Sequence, residues 1–118
     1  MGNWLILKLL NIVLKATGND LAGKPVIVRC RDAGVHFGYY VSHSGREVVL
    51  ERSRRMWRWW ARKQMTLSAV AEFGLNLEKD LKIQNELKGI RVLDGCEIIL
   101  CSDECVKSFE KVEPYDEQ

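Results

Sequence analysis

Between Arg46 and Lys63 the chain carries seven basic residues and two acidic ones, with Trp57, Trp59 and Trp60 among them. These are the residue types from which a site for a flat, anionic ligand is built. A guanidinium is a planar fork that matches phosphate oxygens two at a time. An indole offers a π-face on which a base stacks, worth about 1–3 kcal/mol per base. In an unbroken strand Arg55, Trp57 and Trp59 share one face, and Arg54, Met56, Arg58 and Trp60 share the other. Arg54, Arg55, Trp57, Arg58 and Trp59 are therefore candidate ligand contacts. The pattern also admits a plainer meaning, in which Trp57 and Trp59 are core beneath a helix and Arg54 and Arg58 are a solvated face.

A second constellation lies in "RCRDAGVHFG", residues 29–38. Gly34 and Gly38 bracket His36 and permit close approach of a ligand or another strand. If Gly34 marks only a turn, Arg29, Arg31, His36 and Tyr40 agree in parity and line one wall of a pocket. The alternative is an exposed polar face. Catalytic apparatus is thin. There are two histidines, His36 and His43, which point to opposite faces of a regular strand, and His43 beside Ser44 resembles hairpin chemistry more than a triad. No Walker or dinucleotide glycine loop and no H-E-x-x-H occurs. The expectation is a protein that binds without catalysis and needs no cofactor.

Cys30, Cys96, Cys101 and Cys105 read as free thiols in a reducing compartment. The C-x4-C-x3-C spacing of the last three is not a zinc-knuckle spacing, and no histidine lies near it, so no metal site is expected. Net charge is +2, but Ser102–Gln118 holds six acidic residues against two basic ones. A basic middle and an acidic tail either recruit an anionic partner to the middle or attract one another.

The elements that must position these residues follow from pattern. At 118 residues the chain is one domain. "NWLILKLLNIVLKATG" reads as a helix within residues 1–18, capped by Asn3 and stopped by Gly18. Lys8, Asn11 and Lys15 form its one narrow polar stripe, so it must be buried on most sides. It is too short to span a bilayer, which needs about 20 residues, and its charged face is narrow for a surface helix. It is expected to pack on its own sheet and on a second copy, giving a homo-oligomer away from any membrane. The α+β core spans 24–112. "VIVRCR" and "GVHFGYYVSH" are strands, the latter with Val35, Phe37, Tyr39 and Val41 on one face. Ser44–Gly45 is a hairpin turn into "REVVLE", which continues through "RRMWRW" with a bulge. Thr66 caps a short helix that Gly74 stops. "NLEKDLKIQNELKG" is an irregular loop. "IRVLDGCEIILCS" is a hairpin about Asp94–Gly95. Ser102 caps a last helix, with Asp103 and Glu104 favourable in its first turn. Residues 113–118 form a frayed acidic tail. The expected fold is α+β, a small antiparallel sheet or open barrel of about five strands with an apolar N-terminal helix and two short helices.

Val26–Arg29, Ala33–Gly38, Gly45–Leu50, Arg54–Arg55, Trp57, Trp59 and Leu67–Gly74 fall in the order of V-I-V-R, A-G-V-x-x-G, G-[KR]-E-V-V-L, R-R-x-W-x-W and a Ser/Leu-rich helix ending at Gly. In this the chain resembles a family of short proteins from tailed phages and prophages, over about half its length. "CEIILCSDECVKSF" is similar to that family's closing strand and helix. The N-terminal helix lies outside the pattern, and Trp60 and "ARKQ" depart from it. The resemblance implies a phage origin and host cytoplasm, and no established activity. Small phage accessory proteins bind a host protein, bind nucleic acid, or sequester a nucleotide signal made by host immune enzymes. The Arg/Trp cluster suits the last role, with a cyclic nucleotide or a cyclised ADP-ribose as ligand. A protein that binds single-stranded nucleic acid, and an inhibitor of a host defence enzyme with a Trp hot spot, are the alternatives.

Overall fold

β1 (Pro25–Cys30) is the apolar run "PVIVRC", buried on both faces as a central strand must be. The computed structural model describes residues 3–9 and 19–115. After β1 come β2 (Val35–Ser44), β3 (Glu47–Arg58), α1 (Leu67–Phe73), β4 (Lys82–Ile83), β5 (Leu87–Val92), β6 (Gly95–Leu100) and α2 (Asp103–Lys111). The fold is α+β. The antiparallel sheet runs β4-β3-β2-β1-β6, and β5 pairs with the opening half of β3.

Two apolar layers lie on the two faces of this sheet. On one face Ile27, Phe37 and Met56 pack with α1 and α2, and Phe109 stacks on Phe37 at 4.0 Å between ring centroids. On the other, Val26, Val28, Tyr40, Val48, Leu50 and Val92 close on one another. β3 serves both layers because it contains a bulge. Arg52 has φ 49°, and the β2–β3 register shifts between Phe37 and Tyr39. Even-numbered Val48 and Leu50 face the second layer, whereas Met56 beyond the bulge faces the helices. One extra residue thus exchanges the faces of everything after it.

The expected hairpin about Asp94–Gly95 is not formed. β5 pairs with β3 and β6 pairs with β1, so the chain at Asp94 turns a corner from one side of the β1–β2–β3 meander to the other. The turn chemistry of Asp94 is put to another use: its carboxylate accepts the N–H groups of Asp32 and Ala33. Those bonds, the one from Asp32 foremost, lower its pKa from the ordinary carboxylate value. Gly95 serves close approach. A Cβ there would lie 3.0 Å from Arg46 O and 3.0 Å from Val48 Cγ2, and 3.8 Å from Val28 Cγ1. Val28 and Val48 stand on strands that are not neighbours in the sheet, so the corner is where it curls into an open barrel.

Other expectations are met or corrected locally. Thr66 and Ser102 cap α1 and α2 by accepting from the N–H groups of Ala69 and Cys105. Val35, Phe37 and Tyr39 share the helix-facing layer, but Val41 is exposed, since the register shifts again between Tyr40 and Ser42. The turn after β2 occupies Gly45–Arg46, because Ser44 still pairs with Glu47. The segment read as an irregular loop contains β4 and begins β5. Residues 3–9 are helical, and Trp4, Leu5, Ile6, Leu7 and Leu9 are exposed rather than packed on the sheet. The rest of the expected N-terminal helix, and residues 116–118 of the tail, lie outside the described residues. No helix among the described residues is long and apolar enough to cross a membrane.

Candidate ligand-binding site

Alternation puts the neighbouring Arg54 and Arg55 of β3 on opposite faces, and the bulge at Arg52 decides which face each one takes. Arg54 points to the helix side and is buried. Its Nε donates to Gln84 O at 2.9 Å, and its terminal nitrogens donate to Phe109 O at 2.6 Å and Val112 O at 3.3 Å. A fixed cation on the last carbonyls of α2 complements the negative end of the helix. Three of its five N–H donors are thus held by backbone carbonyls, which makes Arg54 an architectural clamp. Arg55 points the other way, directly opposite His36. Its guanidinium carbon lies 5.2 Å from the centre of the exposed Trp57 ring. Its Nε is shut from solvent and has no hydrogen-bond partner among the described residues.

The remaining sequence candidates disperse. Arg29 lies on the face opposite His36 and pairs with Glu97 at 2.8 Å. Arg31 is exposed beyond the end of β1, at the β1–β2 turn. His36 is buried with Nε2 2.8 Å from Ala33 O, and burial holds its pKa below the ordinary histidine value. Tyr40 is buried among the second layer, its hydroxyl bonded to His43 Nδ1. Arg58 is exposed and paired with Asp80. Trp59 is half-buried against the helix-side layer, away from the exposed Trp57. The wall of Arg29, Arg31, His36 and Tyr40 is not formed, because alternation puts Arg29 across the sheet from the buried His36–Tyr40 pair. Of the nine candidates, only Arg55 and Trp57 remain together and partly open.

The thiols divide similarly. Cys30, Cys101 and Cys105 are buried and Cys96 is exposed. Burial pushes Cys30 up to about 11, and a hydrogen bond with Cys105, then burial, raises Cys101. Among the described residues, no three His, Cys, Asp or Glu side chains are grouped to hold a metal ion.

A concavity that the sequence reading did not single out lies between the segment after α1 and the outer face of α2. Gly74 ends α1, its N–H on Val70 O at 2.8 Å. Bonds from Arg62 N–H to Gly74 O and from Asn76 N–H to Trp60 O lay residues 60–62 beside 74–76. Ser108 then fixes that segment to α2: its hydroxyl accepts from Leu75 N–H at 3.0 Å and donates to Cys105 O at 2.7 Å. The resulting cleft has a volume of about 550 Å³, with Phe73 and Leu75 as apolar lining. Such a volume suits a small molecule. Glu104, Lys107, Ser108 and Lys111 reach it from one helix face at i, i+3, i+4 and i+7. Arg62 and Asn76 come from the opposite wall.

None of Arg62, Lys107 and Lys111 is in an ion pair among the described residues; the four pairs there lie elsewhere. Lys63 sits 5.3 Å from the centre of the half-buried Phe73 ring. Glu78 and Glu104 supply acceptors, and the Asn76 carbonyl takes the Glu78 N–H at 3.1 Å, leaving its amide nitrogen to donate. The cleft thus combines unpaired cations, an aromatic edge and carboxylates able to accept from amines or hydroxyls. The helical spacing of Lys107 and Lys111 was the available signal, but it lay far in sequence from the tryptophans.

The family model for the Domain of unknown function (DUF6948) matches residues 23–109, which takes in the whole sheet, α1 and most of α2. No curated protein and no solved structure matches the chain.

Proposed function

We propose that this chain, which belongs to the DUF6948 family, captures a small anionic nucleotide without transforming it, in the cleft between the post-α1 segment and α2. The observation that carries the reading is that Arg62, Lys107 and Lys111 border one cleft of about 550 Å³ with no protein carboxylate paired to them among the described residues. Phosphates would engage those cations, a flat ring would lie against Phe73, and Glu78 or Glu104 would accept from its amines. Together with the phage resemblance, this supports sequestration of an immune nucleotide signal in the host cytoplasm. The N-terminal helix, apolar and exposed over residues 3–9, is one surface through which copies would associate.

The test is thermal-shift screening of the full chain against cyclic mono- and oligonucleotides and cyclised ADP-ribose, with short single-stranded DNA and RNA alongside. A ligand at 100 times its Kd adds about 2.7 kcal/mol of stability. A shift that disappears in Lys107→Glu/Lys111→Glu, while the unliganded Tm holds, supports the reading. No shift with any nucleotide sinks it.

A second reading rests on Arg55 over the exposed Trp57, which suits one stacked base of a single strand. Its signature is oligonucleotide affinity that falls steeply with salt and is lost in Trp57→Ala.

A further inference from the structure

β6 ends the sheet. It pairs with β1 on one side and has no strand on the other among the described residues. Cys101 N–H donates to Pro25 O, and Ile27 stands opposite Ile99. In an antiparallel ladder that phase turns the N–H and C=O groups of Ile98 and Leu100 away from β1, toward the open side. No proline or lysine blunts the strand "GCEIIL". Beside its end a groove of about 400 Å³ separates Ile99 and Leu100 from α1, where Ser68, Ala69 and Ala71 line it together with the larger Glu72 and Phe73.

We propose that the missing strand is β6 of a second copy, added antiparallel about a two-fold axis at Ile98. The strand is complementary to itself in that register. Ile98 meets its own counterpart, and Cys96 falls opposite Leu100 of the partner copy. Those are the two exposed side chains on that face, Leu100 being 51% exposed. The one charged residue of the strand, Glu97, is paired within its own chain to Arg29, so two copies do not bring bare like charges together. The interaction joins two six-stranded sheets into one and satisfies backbone groups that otherwise face water. It is separate from the nucleotide cleft and from the N-terminal helix, and it closes by isologous contact.

The test uses the full chain. Leu100→Pro removes only the outward N–H, leaves Cys101 N–H on Pro25, and is tolerated at a strand edge. Light scattering after size exclusion should show its mass at half the wild-type value, with unchanged far-ultraviolet circular dichroism. Leu100→Cys should give a covalent dimer under mild oxidation, because directly opposed residues stand about 5.5 Å apart at Cα, within disulfide reach. That dimer should vanish in Cys96→Ser/Leu100→Cys. Unchanged mass in folded Leu100→Pro, or no Cys96-dependent cross-link in Leu100→Cys, overturns the proposal.

Discussion

Arg54 and Arg55 are adjacent in sequence and are predicted to differ sharply in what their loss does. Arg54→Met keeps the length of the buried stem and removes the guanidinium. The carbonyls of Gln84, Phe109 and Val112 then lose their donor. A hydrogen bond to a charged group contributes about 1.5–3 kcal/mol. Three bonds would suggest about 4.5–9 kcal/mol, but the desolvation of a cation only 9% exposed opposes them. Water reaching the exposed residues after α2 also recovers part of the loss. We expect about 3 kcal/mol of destabilisation, which for a chain of this size lowers Tm by about 12 °C. Arg54→Lys should recover roughly half, because a single ammonium cannot serve three acceptors in a fixed fork. Arg55→Met, with Nε unpartnered, should move stability by no more than about 0.5 kcal/mol. Urea and thermal unfolding of the three variants measure this directly. If Arg54→Met falls within about 0.5 kcal/mol of wild type, or Arg55→Met costs as much as Arg54→Met, the clamp reasoning is wrong.

Further outcomes are expected of the same protein. Trp57→Ala should be nearly neutral for folding, and Trp59→Ala, half-buried against the helix-side layer, should cost about 2 kcal/mol by denaturant titration. Gly95→Ala should destabilise by about 1–3 kcal/mol, since its Cβ meets a backbone oxygen and a valine methyl at 3.0 Å; a neutral result would mean that the corner yields freely. His36 is held neutral in the folded state, so the unfolded chain takes up its proton first. Stability should therefore decline as pH falls below the unfolded value of about 6.5, with the His36 contribution fully present above it. His36→Gln should flatten that part of the profile of Tm against pH.

Much of the fold was legible from local chemistry. The caps at Thr66 and Ser102, the stop at Gly74, the apolar run of β1 and the alternation of the first part of β2 follow from rules that act within one turn or one strand. What was not legible depends on residues far apart. Asp94–Gly95 carries a strong hairpin signature, yet Asp94 binds the β1–β2 turn and Gly95 makes room for β3. Nothing within ten residues of them reveals either partner. The bulge at Arg52 was expected in kind, but its position decides which arginine is clamp and which is open. A displacement by one residue would exchange them. The candidate site suffered most, because residue type reports what a side chain can do and not which donors a neighbouring helix end has taken. Arg54 was one of the candidate ligand contacts and is the most fully engaged of them. Lys107 and Lys111 looked like ordinary helix surface and border the cleft of about 550 Å³.

The corner at Asp94 also orders the events of synthesis. β1 finds β6 only across a long stretch of chain; Arg29 and Glu97, for example, are 68 residues apart. The β1–β2–β3 meander emerges from the ribosome with both outer strands unpaired, and stays so until residues 87–100 arrive to cover β3 and then β1. At typical synthesis rates that interval lasts several seconds, long compared with hairpin formation. A nascent chain halted before β5 would present two adhesive strands at once. The window for misassembly therefore closes in the order β3, then β1, and slow codons between β3 and β5 would lengthen it without altering the finished protein.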